Sequence, residues 1–95
     1  MASPTYTAPM RIEVLVFGPV AEVVGADRIG VECHVSANDS GPSVATVLEA
    51  IGRDHPELAT ALPGARLAVN HAFAPPEALV GPGDEVALIA LVGGG

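Results

Sequence analysis

The sequence predicts a small α+β domain, in which a mixed sheet of four to five strands packs on one main helix. Short β-branched runs separated by Gly and Pro predict the strands. One stretch in the middle of the chain has its apolar residues at helical spacing. The chain has 95 residues, enough for a single hydrophobic core but not for two.

The first two strands are predicted over residues 11–17 and 28–35, with a short helical turn at 20–24 between them. On the first strand, apolar side chains such as Val14 and Leu15 point to opposite faces. A strand of this kind is covered on both sides. The two strands are antiparallel if they form a hairpin with an elaborated loop.

The main helix is predicted to begin after Ser43 and to end before Pro56. Ser43 can accept a hydrogen bond from a free N–H group of the first helical turn. Apolar residues then recur at i, i+3, i+4 and i+7 and form one stripe: Val44, Val47, Leu48 and Ile51. Gly52 weakens the end of the helix.

Two further strands are predicted over residues 66–70 and 85–91. A tight turn at 81–84 leads into the last strand, with Asp84 bonded to the turn's own backbone. Pro75-Pro76 blocks regular pairing, and a short 3₁₀ turn is expected at 77–80.

The domain is expected to span residues 11–92. Residues 1–10 carry no strand or helix pattern and are predicted to be a disordered extension. Residues 93–95 form a glycine tail, which we expect to be flexible.

The chain has a formal net charge of −7 and contains no lysine. Its four basic residues are scattered arginines, so no basic cluster is present to bind nucleic acid. An acidic surface favours a partner with a basic face. Signal-peptide and membrane-spanning patterns are absent from the sequence, and we expect a soluble, cytoplasmic protein with no membrane contact.

Catalytic patterns are poor. His34, His55 and His71 lack the spacing of metal ligands, so no metal site is predicted. The single cysteine, Cys33, cannot form an internal disulfide and is predicted to be an ordinary small side chain. If the protein takes part in chemistry, its reactive group is the C-terminal carboxylate of Gly95.

The apolar faces of the sheet and the glycine tail both indicate that the chain binds a partner protein. One helix covers one face of the sheet, yet the first and last strands carry apolar side chains on both faces, which predicts an exposed apolar patch. The tail Gly93-Gly94-Gly95 has no side chains, so it can thread a channel too narrow for other sequences.

The chain resembles the ubiquitin-like sulfur carriers of the MoaD/ThiS type, and within them most closely the small subunit of molybdopterin synthase. Four segments carry the resemblance. The first is the strand that ends in Gly18 (14–18), followed by Glu22 and Val24-Gly25, and the second is the capped helix (43–51). The third is Leu67-Ala68-Val69-Asn70, and the fourth begins with Gly83-Asp84-Glu85-Val86-Ala87 and continues to Gly94-Gly95. The resemblance implies a β-grasp fold. Ala21 and Ala90-Leu91 depart from the family's usual residues, which leaves the pathway open.

In this family, an E1-like enzyme uses ATP to adenylate the terminal glycine, and sulfur then displaces AMP. The resemblance therefore implies an acyl-adenylate and then a thiocarboxylate on Gly95, with no cofactor bound to the chain itself. It implies two partners, the E1-like enzyme and a MoaE-like large subunit, the latter in a heterotetramer. Gly93 and Gly94 would thread the partner's channel. The docking surface is predicted to include the following side chains: Phe17, Leu88, Leu91 and Val92.

Other functions stay open. A carrier for thiamin, cysteine or another sulfur metabolite would have the same tail, although thiamin-type chains are usually shorter and lack the elaborated middle region. A ubiquitin-like protein modifier would join its C-terminus to lysines of target proteins. A plain β-grasp interaction module would use the domain and not the glycines.

Overall fold

The computed structural model describes residues 7–36 and 41–90. Its elements in chain order are β1 (Thr7–Leu15), α1 (Gly18–Val24), β2 (Arg28–Ser36), α2 (Val44–Asp54), two 3₁₀ turns (Pro56–Leu58 and Leu62–Gly64), β3 (Ala65–Val69), β4 (Ala72–Phe73) and β5 (Val86–Ala90). They confirm the predicted α+β class, with one five-stranded sheet. Within the described ranges, no helix has the length and apolar character needed to cross a membrane.

The sheet has the strand order β2-β1-β5-β3-β4. β1 and β2 form the predicted antiparallel hairpin, whereas β5 runs parallel to β1 and antiparallel to β3. A parallel pair needs a long crossover connection, and here the chain between β1 and β5 supplies it, including α2. The strand that comes last in sequence thus lies in the middle of the sheet.

β1 begins at Thr7 and not at Arg11, so the prediction of a disordered extension over residues 1–10 is wrong for residues 7–10. These residues lack a strand pattern of their own and are held by pairing with β2, where Thr7 lies opposite Ser36. Pro9 fits because β5 pairs only with the far end of β1, at Val14 and Leu15. The backbone of Pro9 therefore has no strand on its outer side to bond with.

α2 packs its apolar stripe on the sheet, as predicted. Val44, Val47 and Ile51 are at most 2 % exposed, and Leu48 is half-buried. Ser43 caps the helix: its hydroxyl accepts from the Thr46 N–H at 3.2 Å. Strands β1, β2, β3 and β5 supply the other side of this core, and the largest fully buried strand residues are Val14, Val31, Leu67, Val86 and Leu88.

The segment between β3 and β5 differs from the prediction. Ala72 and Phe73 form β4, a strand too short to leave a pattern in the sequence. No 3₁₀ turn forms at 77–80: a turn lies at Pro76-Glu77, and Leu79 makes an isolated bridge with Ser43. This segment is held by the start of α2 as well as by its own turn. The Val44 N–H donates to the Ala78 carbonyl at 2.8 Å, and the Ala78 N–H donates to the Pro75 carbonyl at 3.0 Å.

Candidate docking face and tail anchor

The described chain ends on the central strand of the sheet. β5 has β1 on one side and β3 on the other, and its last residue, Ala90, lies opposite Ala65 at the start of β3. β1 pairs only with Val86 and Ala87 at the start of β5, whereas β3 pairs with the strand along its whole length, up to Ala90. Leu91, Val92 and the predicted reactive tail, Gly93–Gly95, lie outside the described residues.

The start of β5 is fixed by the side chain of Asn70. Its amide oxygen accepts from the Glu85 N–H, and its amide nitrogen donates to the Asp84 carboxylate, both at 3.0 Å. The backbone N–H of Asn70 also donates to the Glu85 carbonyl at 2.7 Å. One side chain thus joins the β3–β4 turn to the turn before β5.

Asn70 and His71 both have positive φ, 53° and 72°. Asn adopts this left-handed conformation more readily than most residues with a side chain, which explains why it suits the two-residue turn between β3 and β4. His71 adds an exposed contact, with its Nε2 atom 3.3 Å from the Glu85 carboxylate.

Asp84 bonds to its own turn, as predicted. Its second carboxylate oxygen accepts from the Gly81 N–H at 2.7 Å. The hydrogen bond from Asn70, and then that from the Gly81 N–H, hold the pKa of Asp84 below its ordinary value. The segments that carried the family resemblance here, Leu67 to Asn70 and Gly83 to Ala87, therefore meet in one network that sets the register of β5.

The side chains of β5 alternate between two faces. Val86 and Leu88 are each 1 % exposed and lie in the core with α2. The prediction that Leu88 belongs to the docking surface is therefore wrong: the strand's alternation turns its side chain inward. Ala87 and Ile89 point to the opposite face, which is not covered by either helix of the described residues, and each is partly exposed.

An apolar row crosses this open face. Leu15 of β1 lies opposite Ala87 of β5, Ala87 opposite Ala68 of β3, and Ala68 opposite Phe73 of β4. Because residues opposite each other share a face, the four side chains form one line, which we call the apolar row (Leu15, Ala87, Ala68, Phe73). Phe73 at its end is 62 % exposed.

The apolar row is extended towards the end of β5 at Ala90. Ile89 follows Ala87 on the same face, two residues nearer the C-terminus. Phe17, which immediately precedes α1, is 56 % exposed, as expected of a docking residue. An open apolar surface of this kind on a small domain is typical of a site for another protein.

Charged side chains border the apolar row. Glu13 lies two residues before Leu15, Glu85 lies two residues before Ala87, and Arg66 lies opposite Ile89. Glu13 is shared by two exposed ion pairs, at 3.4 Å to Arg11 and 3.6 Å to Arg28. Exposed pairs of this kind contribute little to stability, so these groups are available to a partner.

The fold of the described residues does not bring His, Cys, Asp and Glu side chains together into a catalytic or metal-binding cluster. In the part of the chain that the structure describes, no three His, Cys, Asp or Glu side chains lie close enough to hold a metal ion. Cys33 is 1 % exposed, and burial raises the pKa of its thiol, so it is a poor nucleophile. The three histidines lie in different parts of the fold: His34 lies on β2, His55 follows the end of α2, and His71 lies in the turn between β3 and β4.

The fold and the sequence both match known proteins. The sequence model of the ThiS family matches residues 14–95. No match is found among curated proteins. The crystal structure of SAMP1 from Haloferax volcanii is similar with a TM-score of 0.68 and 26 % identity, covering 90 % of this chain and 100 % of that one.

Two other similar structures come from proteins described as molybdopterin converting factors. Subunit 1 from Pyrococcus furiosus, described as putative, has a TM-score of 0.66 and 18 % identity, covering 86 % of this chain and 98 % of that one. A complex of subunits 1 and 2 from Helicobacter pylori has a matching chain with a TM-score of 0.55 and 23 % identity, and the match covers 90 % of this chain and 100 % of that one. At these identities the likeness shows the shared β-grasp fold.

Proposed function

The chain belongs to the ThiS family, of the ubiquitin-like sulfur carrier type, and we propose that it carries sulfur as a thiocarboxylate on Gly95. Our leading assignment is the small subunit of a molybdopterin synthase, which donates this sulfur in molybdenum cofactor biosynthesis. In this role the chain is a substrate and a subunit, and its partners supply the catalytic residues.

One observation carries the proposal: the central strand, held by β1 at its start and by β3 along its whole length, ends at Ala90, two residues before a run of three glycines. A fixed strand sets the point from which the tail starts, while glycines leave the tail thin enough for a narrow channel. The terminal carboxylate is then the only chemical group that the tail carries.

A carboxylate must be activated before it can accept sulfur, because an oxide ion is a poor leaving group. In the proposed sequence, a carboxylate oxygen of Gly95 attacks the α-phosphorus of ATP and pyrophosphate leaves. Hydrosulfide then attacks the carbonyl carbon and a C–S bond forms, the bond from that carbon to the phosphate oxygen breaks and AMP leaves, and loss of the sulfur-bound proton gives the thiocarboxylate. An E1-like enzyme supplies the site for both steps.

The apolar row and its charged border support the partner assignment. An E1-like enzyme and a MoaE-like large subunit would bind this face in turn, because both must receive the same tail. The net charge of −7 favours a basic rim on each partner. The Helicobacter pylori complex of subunits 1 and 2 is consistent with a partner subunit for this fold.

A second candidate function is protein modification. The likeness to SAMP1 of Haloferax volcanii supports it, because that protein is a small archaeal modifier protein. In this role the activated Gly95 carbonyl would form an isopeptide bond with a lysine amine of a target protein, and AMP would leave.

Reconstitution with purified partners separates these functions. The full chain is incubated with the E1-like enzyme, ATP and sulfide, and then with either a large synthase subunit and its pterin precursor or a lysine-bearing target. Sulfur transfer to the pterin supports the leading assignment, and a covalent adduct with the target supports modification. A chain lacking Gly94-Gly95 is the matched control, since both functions need the tail whereas binding by a plain interaction module does not. If the truncated chain matches the full one in both assays, both proposals are wrong.

A further inference from the structure

β2 is an edge strand of the sheet, and its outer side is partly occupied by side chains. Among the strands of residues 7–36 and 41–90, β2 has only β1 as a neighbour. It is nine residues long, which is long for an exposed edge. Free N–H and C=O groups along such an edge can pair with a strand of another molecule, and native proteins usually block this pairing.

Three consecutive residues at the end of α2 bond to the middle of this edge. The Glu32 N–H donates to the Asp54 carboxylate at 3.2 Å, and the Arg53 guanidinium donates to the Glu32 carbonyl. The Nε2 atom of His55 lies 3.2 Å from the Gly30 carbonyl, to which it donates. These contacts imitate the hydrogen bonds that a neighbouring strand would make.

Arg53 and Asp54, which both bond to Glu32, also contact each other. Arg53 Nε donates to Asp54 at 2.9 Å, so the donor and acceptor that bond to Glu32 also bond to each other. The hydrogen bond from Arg53, followed by that from the Glu32 N–H, holds the pKa of Asp54 below its ordinary value. The carboxylate is thus kept charged, as an acceptor for the edge N–H.

The sequence of β2 makes a second copy of the chain the natural occupant of this edge. In an antiparallel hairpin, alternate residues direct their N–H and C=O groups outward, and Glu32 and Gly30 belong to the outward set. An antiparallel pairing of two copies centred on Gly30 places Arg28 of each opposite Glu32 of the other. Opposite charges facing each other across strands favour such a pairing.

We propose that Arg53, Asp54 and His55 form an edge guard, which occupies the backbone groups of Gly30 and Glu32 and prevents two copies from pairing through β2. A two-fold pairing centred on Gly30 needs the groups that the guard already holds. The chain therefore stays free of self-association at this edge, while its apolar row remains available to other proteins.

Removing the guard tests the proposal. The double variant Arg53→Ala/Asp54→Ala frees both backbone groups of Glu32, and we expect its average mass in sedimentation equilibrium to rise with concentration towards twice that of one chain. The matched control is Arg66→Ala/Glu77→Ala, which also removes one charge of each sign from exposed positions away from β2. The control and the unmodified chain should keep the mass of one chain over the same concentrations. A folded double variant that also stays monomeric overturns the proposal, as does pairing of the unmodified chain through β2.

Amide hydrogen exchange on the unmodified chain gives an independent test that does not depend on whether a variant folds. The His34 N–H points outward like that of Glu32, and no acceptor contacts it among residues 7–36 and 41–90. We expect the Glu32 amide to exchange at least about tenfold more slowly than the His34 amide. Equal rates for the two amides would mean that the guard is not formed, and the proposal would be wrong.

Discussion

At the scale of single residues, Asn70 joins, through its side chain, the β3–β4 turn to the residues that lead into β5. It combines a left-handed backbone with two side-chain hydrogen bonds that fix the start of β5. The Val69-Asn70 step is part of the family resemblance, but nothing in the neighbouring sequence explains it physically. The reason lies in contacts with Asp84 and Glu85, which are far along the chain and leave no local pattern.

Replacing Asn70 should therefore destabilise the domain in two separable ways. Asn70→Ala loses both side-chain bonds and places a Cβ in the left-handed region, and we expect a loss of about 2 to 3 kcal/mol in the free energy of unfolding. Asn70→Gly loses the bonds but tolerates the backbone, so it should lose about 1 kcal/mol less than the alanine variant. Urea denaturation measures both values. Equal stability of Asn70→Ala and the unmodified chain would contradict the assigned role.

Asp84 predicts a dependence of stability on pH. Hydrogen bonds from Asn70 and the Gly81 N–H lower its pKa in the folded state. Its contribution is therefore present above the ordinary carboxyl pKa, about 4, and is lost as the pH falls through the folded value. Asp84→Asn should be less stable than the unmodified chain at pH 7, and the gap should narrow below about pH 4. A gap that stays constant from pH 7 to pH 2.5 would contradict this account.

At the scale of elements, the parts with a strong periodic signal were predicted correctly and the short irregular ones were not. α2 has both a cap and an apolar stripe in its own sequence, and both are confirmed. β4 has two residues, and the segment after it takes its shape from contacts with Ser43 and Val44. The first residues of β1 are likewise set by β2. Where tertiary partners fix a segment, its own sequence does not show it.

The contact between the start of α2 and the segment before β5 gives a prediction at this scale. A Cβ on Gly41 would lie 1.7 Å from the Val80 carbonyl oxygen, which is backbone and cannot rotate away. Gly41→Ala should therefore cost about 1 to 3 kcal/mol, since it forces the two segments apart. A Cβ on Gly81 would come no nearer than 3.5 Å to Asp84, an ordinary contact, which makes Gly81→Ala the matched control. Thermal unfolding should place the control near the unmodified chain and Gly41→Ala well below it.

At the scale of the whole molecule, the sequence predicted that a sheet with one main helix leaves an apolar face open. The structure adds which side chains form that face. Phe17 is exposed, whereas Leu88 is buried, and the apolar row comes from four different strands. Strand register decides this composition, and the pairing of distant strands cannot be deduced from the pattern within each one.

The apolar row should matter for partners and not for folding. Ala87→Arg places a charge at its centre on the open face, and we expect the rate of adenylation by the E1-like enzyme to fall at least about tenfold. The unfolding temperature should change little, because the side chain points away from the core. Ala45→Arg, on an exposed position of α2, is the control and should keep the full rate. Unchanged adenylation of Ala87→Arg would mean that the enzyme docks elsewhere.

The central claim is that Gly95 becomes a thiocarboxylate, and intact mass spectrometry of the protein purified from its own cells tests it most directly. Exchange of one oxygen for sulfur adds about 16 Da. Because oxidation of methionine adds nearly the same mass, the gain must also map to the C-terminal fragment or react with a thiocarboxylate probe. We expect such a species, and we expect it to be absent from a chain that lacks Gly95. A C-terminus that stays unmodified, even after incubation with ATP, a sulfur donor and the cognate E1-like enzyme, would contradict the account.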